Sequence, residues 1–131
     1  MTNPIETLKA RKQETQRMNE LLAITYNHLT KLLKEKYNKE LVGYEQLKYM
    51  PHCYRLYSFY VYDWFSLEIN IYYNTCYDSC KCVAKYDCHL YSSEWNMENE
   101  DEVRYWLDEL DKQIRLCIPD KYLQEFDKQV A

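Results

Sequence analysis

Glycine is almost missing: Gly43 is the only one in 131 residues. Neither a P-loop nor a GxGxxG fingerprint can be written with one glycine, so enzymes built on those phosphate-binding loops are excluded. Proline is scarce as well, at three residues, which removes collagen-like and linker-rich chains from consideration. No apolar run approaches the roughly 20 residues that cross a bilayer. The first twelve residues are charged and lack an apolar core, unlike a secretory leader. Basic charge is thin in the last third. Residues 94–131 carry a net charge of −6, against +3 for residues 1–40 and −1 for residues 41–93. Such a segment repels phosphate backbones, which argues against direct nucleic-acid binding and suits a basic protein partner.

What is present describes one folded domain, 1–131. Hydrophobic residues make up 47% and charged residues 29%, so a core forms without staples. Asn3, Pro4 and Glu6 write a helix start. Met18, Leu21, Leu22, Tyr26, Leu29, Leu32 and Leu33 follow with 3–4 spacing, which predicts a helix over 4–37. It would be about 50 Å long, whereas a domain of this size is roughly 36 Å across. The polar stretch 1–17 is therefore expected to project or fray, or to meet a second copy in a homodimer.

Residues 54–64 are dense in aromatic and β-branched side chains and predict a strand. Residues 66–73 alternate, with Leu67, Ile69, Ile71 and Tyr73 on one face, as in a half-solvated antiparallel sheet. Residues 63–66 are expected to form the turn between them. Residues 82–91 predict a third strand, and a short fourth is expected within 44–50. Val103, Trp106, Leu107, Leu110, Ile114 and Cys117 form a second helical stripe, capped by Asn99 and closed by Pro119. A short helix over 120–128 ends the pattern. The expected fold is α+β: a long N-terminal helix, a three- to four-stranded antiparallel sheet and two C-terminal helices.

Six cysteines are many for this length. Without a leader they read as free thiols in a reducing cytoplasm. Cys76, Cys80 and Cys82 with His89 are the candidate metal ligands, since Cys76 and Cys80 have knuckle spacing. The second knuckle is missing. Cys82 and Cys88 fall on one expected strand, about 20 Å apart, too far for one ion. The expectation is therefore packing, with no cofactor. Cys53 with His52 and Cys88 with His89 are adjacent pairs, which a strand sends to opposite faces, so neither makes a nucleophile and base.

Two other groups point outward. Tyr60 and Tyr62 are expected to share a strand face with Tyr54 and to serve as aromatic anchors, together with Tyr105. The acids Glu94, Glu98, Glu100, Asp101, Glu102, Asp108, Glu109 and Asp111 are offset locally only by Arg104. From these, the expected partner-binding set is Glu98, Glu100, Asp101, Glu102, Asp108 and Asp111 with the three tyrosines.

The order helix, three strands, helix resembles a double-stranded RNA-binding domain. That family's basic, glycine-containing helix start is replaced here by Asn96-Met-Glu-Asn-Glu-Asp-Glu-Val103, which excludes its function. Small size, acidity, near-absence of glycine and this element order are also similar to small phage inhibitors of bacterial defence, the anti-CRISPR class. That resemblance implies a non-enzymatic inhibitor or adaptor that occupies the basic nucleic-acid groove of an effector nuclease. A helix-mediated dimerisation module is the alternative, and a small thiol- or metal-dependent enzyme is a third reading.

Overall fold

The computed structural model describes residues 3–41 and 43–130. Its elements run α1 (Pro4–Tyr37), β1 (Tyr44–Leu47), β2 (Met50–Leu56), β3 (Phe59–Val61), β4 (Phe65–Asn74), β5 (Ser79–Tyr86), β6 (His89–Ser92), α2 (Glu100–Leu116) and α3 (Asp120–Val130). The α+β class, the long first helix and the two last helices match expectation. The sheet is antiparallel and has six strands rather than three or four, in the order β1-β2-β4-β5-β6, with β3 also paired to β4.

The helix ends follow their caps. Asn3 accepts a hydrogen bond from the backbone N–H of Ile5, and Pro4 occupies the first turn. Asn38 ends α1 in the left-handed region at φ 55°, donating its backbone N–H to the Lys34 carbonyl. Asn99 accepts from the N–H groups of Asp101 and Glu102 at the start of α2.

The extra strands come from two interruptions. Between β2 and β4, Tyr54 pairs Ile71; between β3 and β4, Phe59 pairs Leu67. The register shifts by one residue across Tyr57 and Ser58, as a β-bulge does. That shift reverses which parity faces the core. Tyr54 lies on the core side before the bulge, and Phe59 and Val61 lie there after it. Tyr60 therefore lies on the face opposite Tyr54, not with it. The expected strand over 82–91 folds back on itself instead. Tyr86 pairs His89, so Asp87 and Cys88 form the turn and Asp87 takes φ 54°.

In β4, buried residues alternate with half-buried ones. Leu67, Ile69, Ile71 and Tyr73 face inward and sit opposite Tyr86, Ala84, Cys82 and Cys80 of β5. Leu29, Leu32 and Leu33 of α1 and Val103, Leu107, Leu110 and Ile114 of α2 join them in one buried cluster. Each such aliphatic side chain contributes about 1.5–3 kcal/mol by leaving water. The chain is thus two layers, helices over one face of a sheet. Among the described residues no helix is long and apolar enough to cross a membrane.

The first turns of α1 extend past this core. Met18 is the first buried residue of the helix, and Ile5 and Leu8 remain 61% and 57% exposed. Deleting residues 1–13 should leave the thermal midpoint within a few degrees by circular dichroism, since so little apolar area is lost. A large drop would show that this segment packs against another chain.

Candidate functional site

The outer side of α2 was expected to be an open acidic surface, and the structure divides it. Five of the eight acids are engaged inside the molecule. Glu98 accepts from the Ser79 hydroxyl at 3.0 Å and from the Cys80 N–H at 3.3 Å, fastening the start of β5. Glu100 pairs with Lys31 at 2.5 Å and Asp108 with Lys36 at 2.7 Å, both lysines standing on α1. The Lys31 ammonium beside Glu100 holds that carboxyl below its ordinary range. Glu109 pairs with Lys112 at 3.0 Å. Asp111 accepts from the hydroxyls of Tyr37 and Tyr62. The expectation that Arg104 alone offsets these acids is corrected, because α1 brings Lys31 and Lys36 alongside and Lys112 of α2 itself pairs with Glu109. Arg104 itself reaches Glu35 of α1 at 3.3 Å.

Asp101 and Glu102 remain. Both are exposed, and among the described residues neither has a cation within ion-pair distance. They sit in the first turn of α2, where the helix dipole favours negative charge and no counter-ion is needed. Tyr105 follows one turn later on the same side and is 67% exposed. Glu94 is exposed ahead of the helix.

The other aromatic candidates separate. Tyr60 is 60% exposed on the sheet face away from the helices. Tyr62 is half-buried at φ 57° in the β3–β4 turn and is not an available anchor. Its hydroxyl donates to Asp111, its ring packs against Phe126, and the Arg115 guanidinium lies over it at 5.2 Å. Tyr122 donates to its carbonyl at 2.7 Å. Burial pushes the Tyr62 phenol up to about 12, with Asp111 adding to the rise against the pull of Arg115.

The four candidate metal ligands do not converge. Cys80 and Cys82 are fully buried in the core, and burial pushes the Cys80 thiol up to about 12 and raises the Cys82 thiol as well. Cys76 is exposed in the β4–β5 turn. His89 pairs with Tyr86, six residues along β5 from Cys80 and hence about 20 Å away. The hairpin turn gathers a different set. Donor atoms of Asp87, Cys88 and His89 lie within 4.8 Å of one another. Cys117 of the α2 C-cap places its Sγ 3.9 Å from His89 Nε2. The rule that neighbours on a strand point apart fails here, because Cys88 belongs to a turn. The one signal for that turn was Asp87, a turn-favouring acid inside the expected strand over 82–91. Comparison with protein-family models, with curated proteins and with solved structures returns no match for this chain.

Proposed function

We propose that the protein is a non-enzymatic inhibitor or adaptor that engages a basic surface of a partner protein through the outer side of α2. The observation that carries this reading is the Asp101, Glu102 and Tyr105 group. It combines two exposed carboxylates that lack an internal counter-ion with an exposed aromatic ring one turn away. Glu100 and Asp108 are paired with lysines of α1, so the binding set narrows to these three with Glu94 at its edge. Carboxylates at this spacing suit a lysine- and arginine-lined groove. An anti-defence inhibitor seated in the nucleic-acid groove of a nuclease is the concrete form of the proposal.

Unpaired rim acids act mainly on association speed, and buried aromatic anchors act mainly on dissociation. The test is affinity capture from the native host, then binding kinetics of the captured partner at two salt concentrations. Reversing Asp101 and Glu102 to Lys should slow association and flatten its salt dependence. Tyr105→Ala should speed dissociation, and the loss is about 1–3 kcal/mol if the ring is a contact anchor. Unchanged rates at both salt concentrations would make α2 a solvated face and end the proposal. The exposed Ile5 and Leu8 on the projecting end of α1 favour a second reading, a helix-mediated dimer, which light scattering of the full chain against the 1–13 deletion decides.

A further inference from the structure

We infer that Cys88, His89 and Cys117, with Asp87 as fourth donor, form a site for a thiophilic divalent cation, zinc by the chemistry of the donor set. Two thiolates, an imidazole and a carboxylate are soft and borderline ligands that suit tetrahedral zinc. Magnesium and calcium want oxygen alone.

The fold assembles the group from two separate places. Asp87 and Cys88 form the two-residue turn of the β5–β6 hairpin, and His89 is the first residue of β6. Cys117, 28 residues further on, ends α2 just before the chain turns through Pro119 into α3. Asp87 accepts the left-handed region at φ 54°, and that tight turn keeps three consecutive donors within 4.8 Å of one another. In tetrahedral zinc a thiolate at about 2.3 Å and an imidazole nitrogen at about 2.0 Å stand about 3.5 Å apart. The Cys117 Sγ to His89 Nε2 distance is 3.9 Å, close to that value, while Cys117 stands outside the 4.8 Å group of Asp87, Cys88 and His89, so its side chain would turn toward the other two donors on binding. The His89 ring also packs against Tyr86, with centroids 5.2 Å apart, which limits its rotation.

All four donors are exposed, so a cation can reach them. That distinguishes Cys88 and Cys117 from Cys80 and Cys82, whose thiols are held protonated by burial. A bound ion would tie the hairpin tip to the junction of α2 and α3, two parts of the chain that otherwise meet there at the surface.

The experiment uses the full reduced chain with Co²⁺ and Zn²⁺ as probes. Cobalt should bind at one equivalent with tetrahedral visible bands and a thiolate-to-metal charge-transfer band, and zinc should displace it. Cys88→Ser and Cys117→Ser should each weaken affinity by about a hundredfold or more, since loss of outer partners alone costs 10- to 100-fold. Cys76→Ser should change nothing, because that thiol is exposed in a different turn. Zinc should raise the thermal midpoint of the native chain and not that of Cys117→Ser. It should also shield two thiols, Cys88 and Cys117, from alkylation read by mass spectrometry, a measurement that needs no variant. Absence of the tetrahedral cobalt spectrum, native affinity in either Cys88→Ser or Cys117→Ser, or loss of binding in Cys76→Ser would each overturn the site.

Discussion

Raising the pH from about 8 to about 12 should unfold this protein, and the onset should come from cysteine before tyrosine. Cys80 is fully buried, and its thiol is displaced upward from 9.0 to about 12, chiefly by desolvation. Cys82 moves the same way, again by burial. Burial also lifts the Tyr62 phenol from 10.0 to about 12, and burial with the Asp78 contact lifts Tyr73 likewise. In each case the folded chain keeps its proton to a higher pH than the unfolded chain does. Between about pH 9 and pH 12 the unfolded state therefore binds fewer protons, and stability falls as pH rises. Below about pH 9 the contribution is whole. For Cys80 alone the displacement is worth on the order of 4 kcal/mol by the time pH passes the folded value. Total stability for a domain is about 5–15 kcal/mol, so Cys80 and the two phenols together, with Cys82 adding in the same direction, are enough to exhaust most of that range. Urea denaturation at a series of pH values checks this. Cys80→Ala should lose about 1 kcal/mol of packing at neutral pH yet move the alkaline transition upward. A urea midpoint that holds steady to about pH 11, or an unaltered alkaline profile in Cys80→Ala, would refute the account.

The helices were legible because their signals are local. Asn3-Pro4 and Asn99 announce starts, and the 3–4 stripes of Leu21 to Leu33 and of Val103 to Ile114 announce buried faces. The alternation of β4 was legible for the same reason, a period of two across an uninterrupted strand. The β3–β4 turn was placed to within two residues, 63–66 against 62–64, but the other turns of the sheet were not legible, because the usual marker is missing. Asn38, Tyr62, Asp63, Asp78, Asp87 and Asn96 all take positive φ without being glycine. With Gly43 alone available, the chain makes its left-handed turns from Asn, Asp and one Tyr, and nothing in 82–91 but Asp87 signals a reversal. The bulge at Tyr57 and Ser58 was hidden for a related reason. Aromatic residues flank it on both sides, so a one-residue slip leaves the composition unchanged while reversing the faces of Tyr54 and Tyr60. The acidic surface was misjudged because two of its counter-charges, Lys31 and Lys36, are distant in sequence, and because the local Lys112 was passed over. Lys31 and Glu100 are 69 residues apart and meet only once α1 packs on α2. The Asp87, Cys88, His89 and Cys117 group was invisible for both reasons, an unsignalled turn and a partner supplied by another element.

Asp111, expected at first to touch a partner, should instead prove to be a stability residue. Its carboxylate accepts from the Tyr37 hydroxyl at 2.8 Å and from the Tyr62 hydroxyl. Tyr37 closes α1, Tyr62 is in the turn after β3, and Phe126 and Tyr122 of α3 pack or bond to Tyr62 in turn. One carboxylate on α2 thus joins α1 and the β3–β4 turn directly, and α3 through Tyr62. Removing it strands two phenol donors, of which Tyr37 is held in its protonated form by burial first and by Asp111 second. A hydrogen bond to a charged group contributes about 1.5–3 kcal/mol, and an unsatisfied buried partner costs a similar amount, so Asp111→Ala should lose about 2–4 kcal/mol. That is roughly 10 °C of thermal midpoint at this chain length. Asp111→Asn keeps an acceptor oxygen and should lose about 1 kcal/mol. In a cycle with Tyr37→Phe the two losses should fall short of additive by at least about 0.5 kcal/mol, because both changes break the same bond. The competing expectation is a partner-facing acid, which would leave stability unchanged and alter only binding. If Asp111→Ala melts with the native protein, the carboxylate is not holding these elements together, and it returns to the partner-binding set.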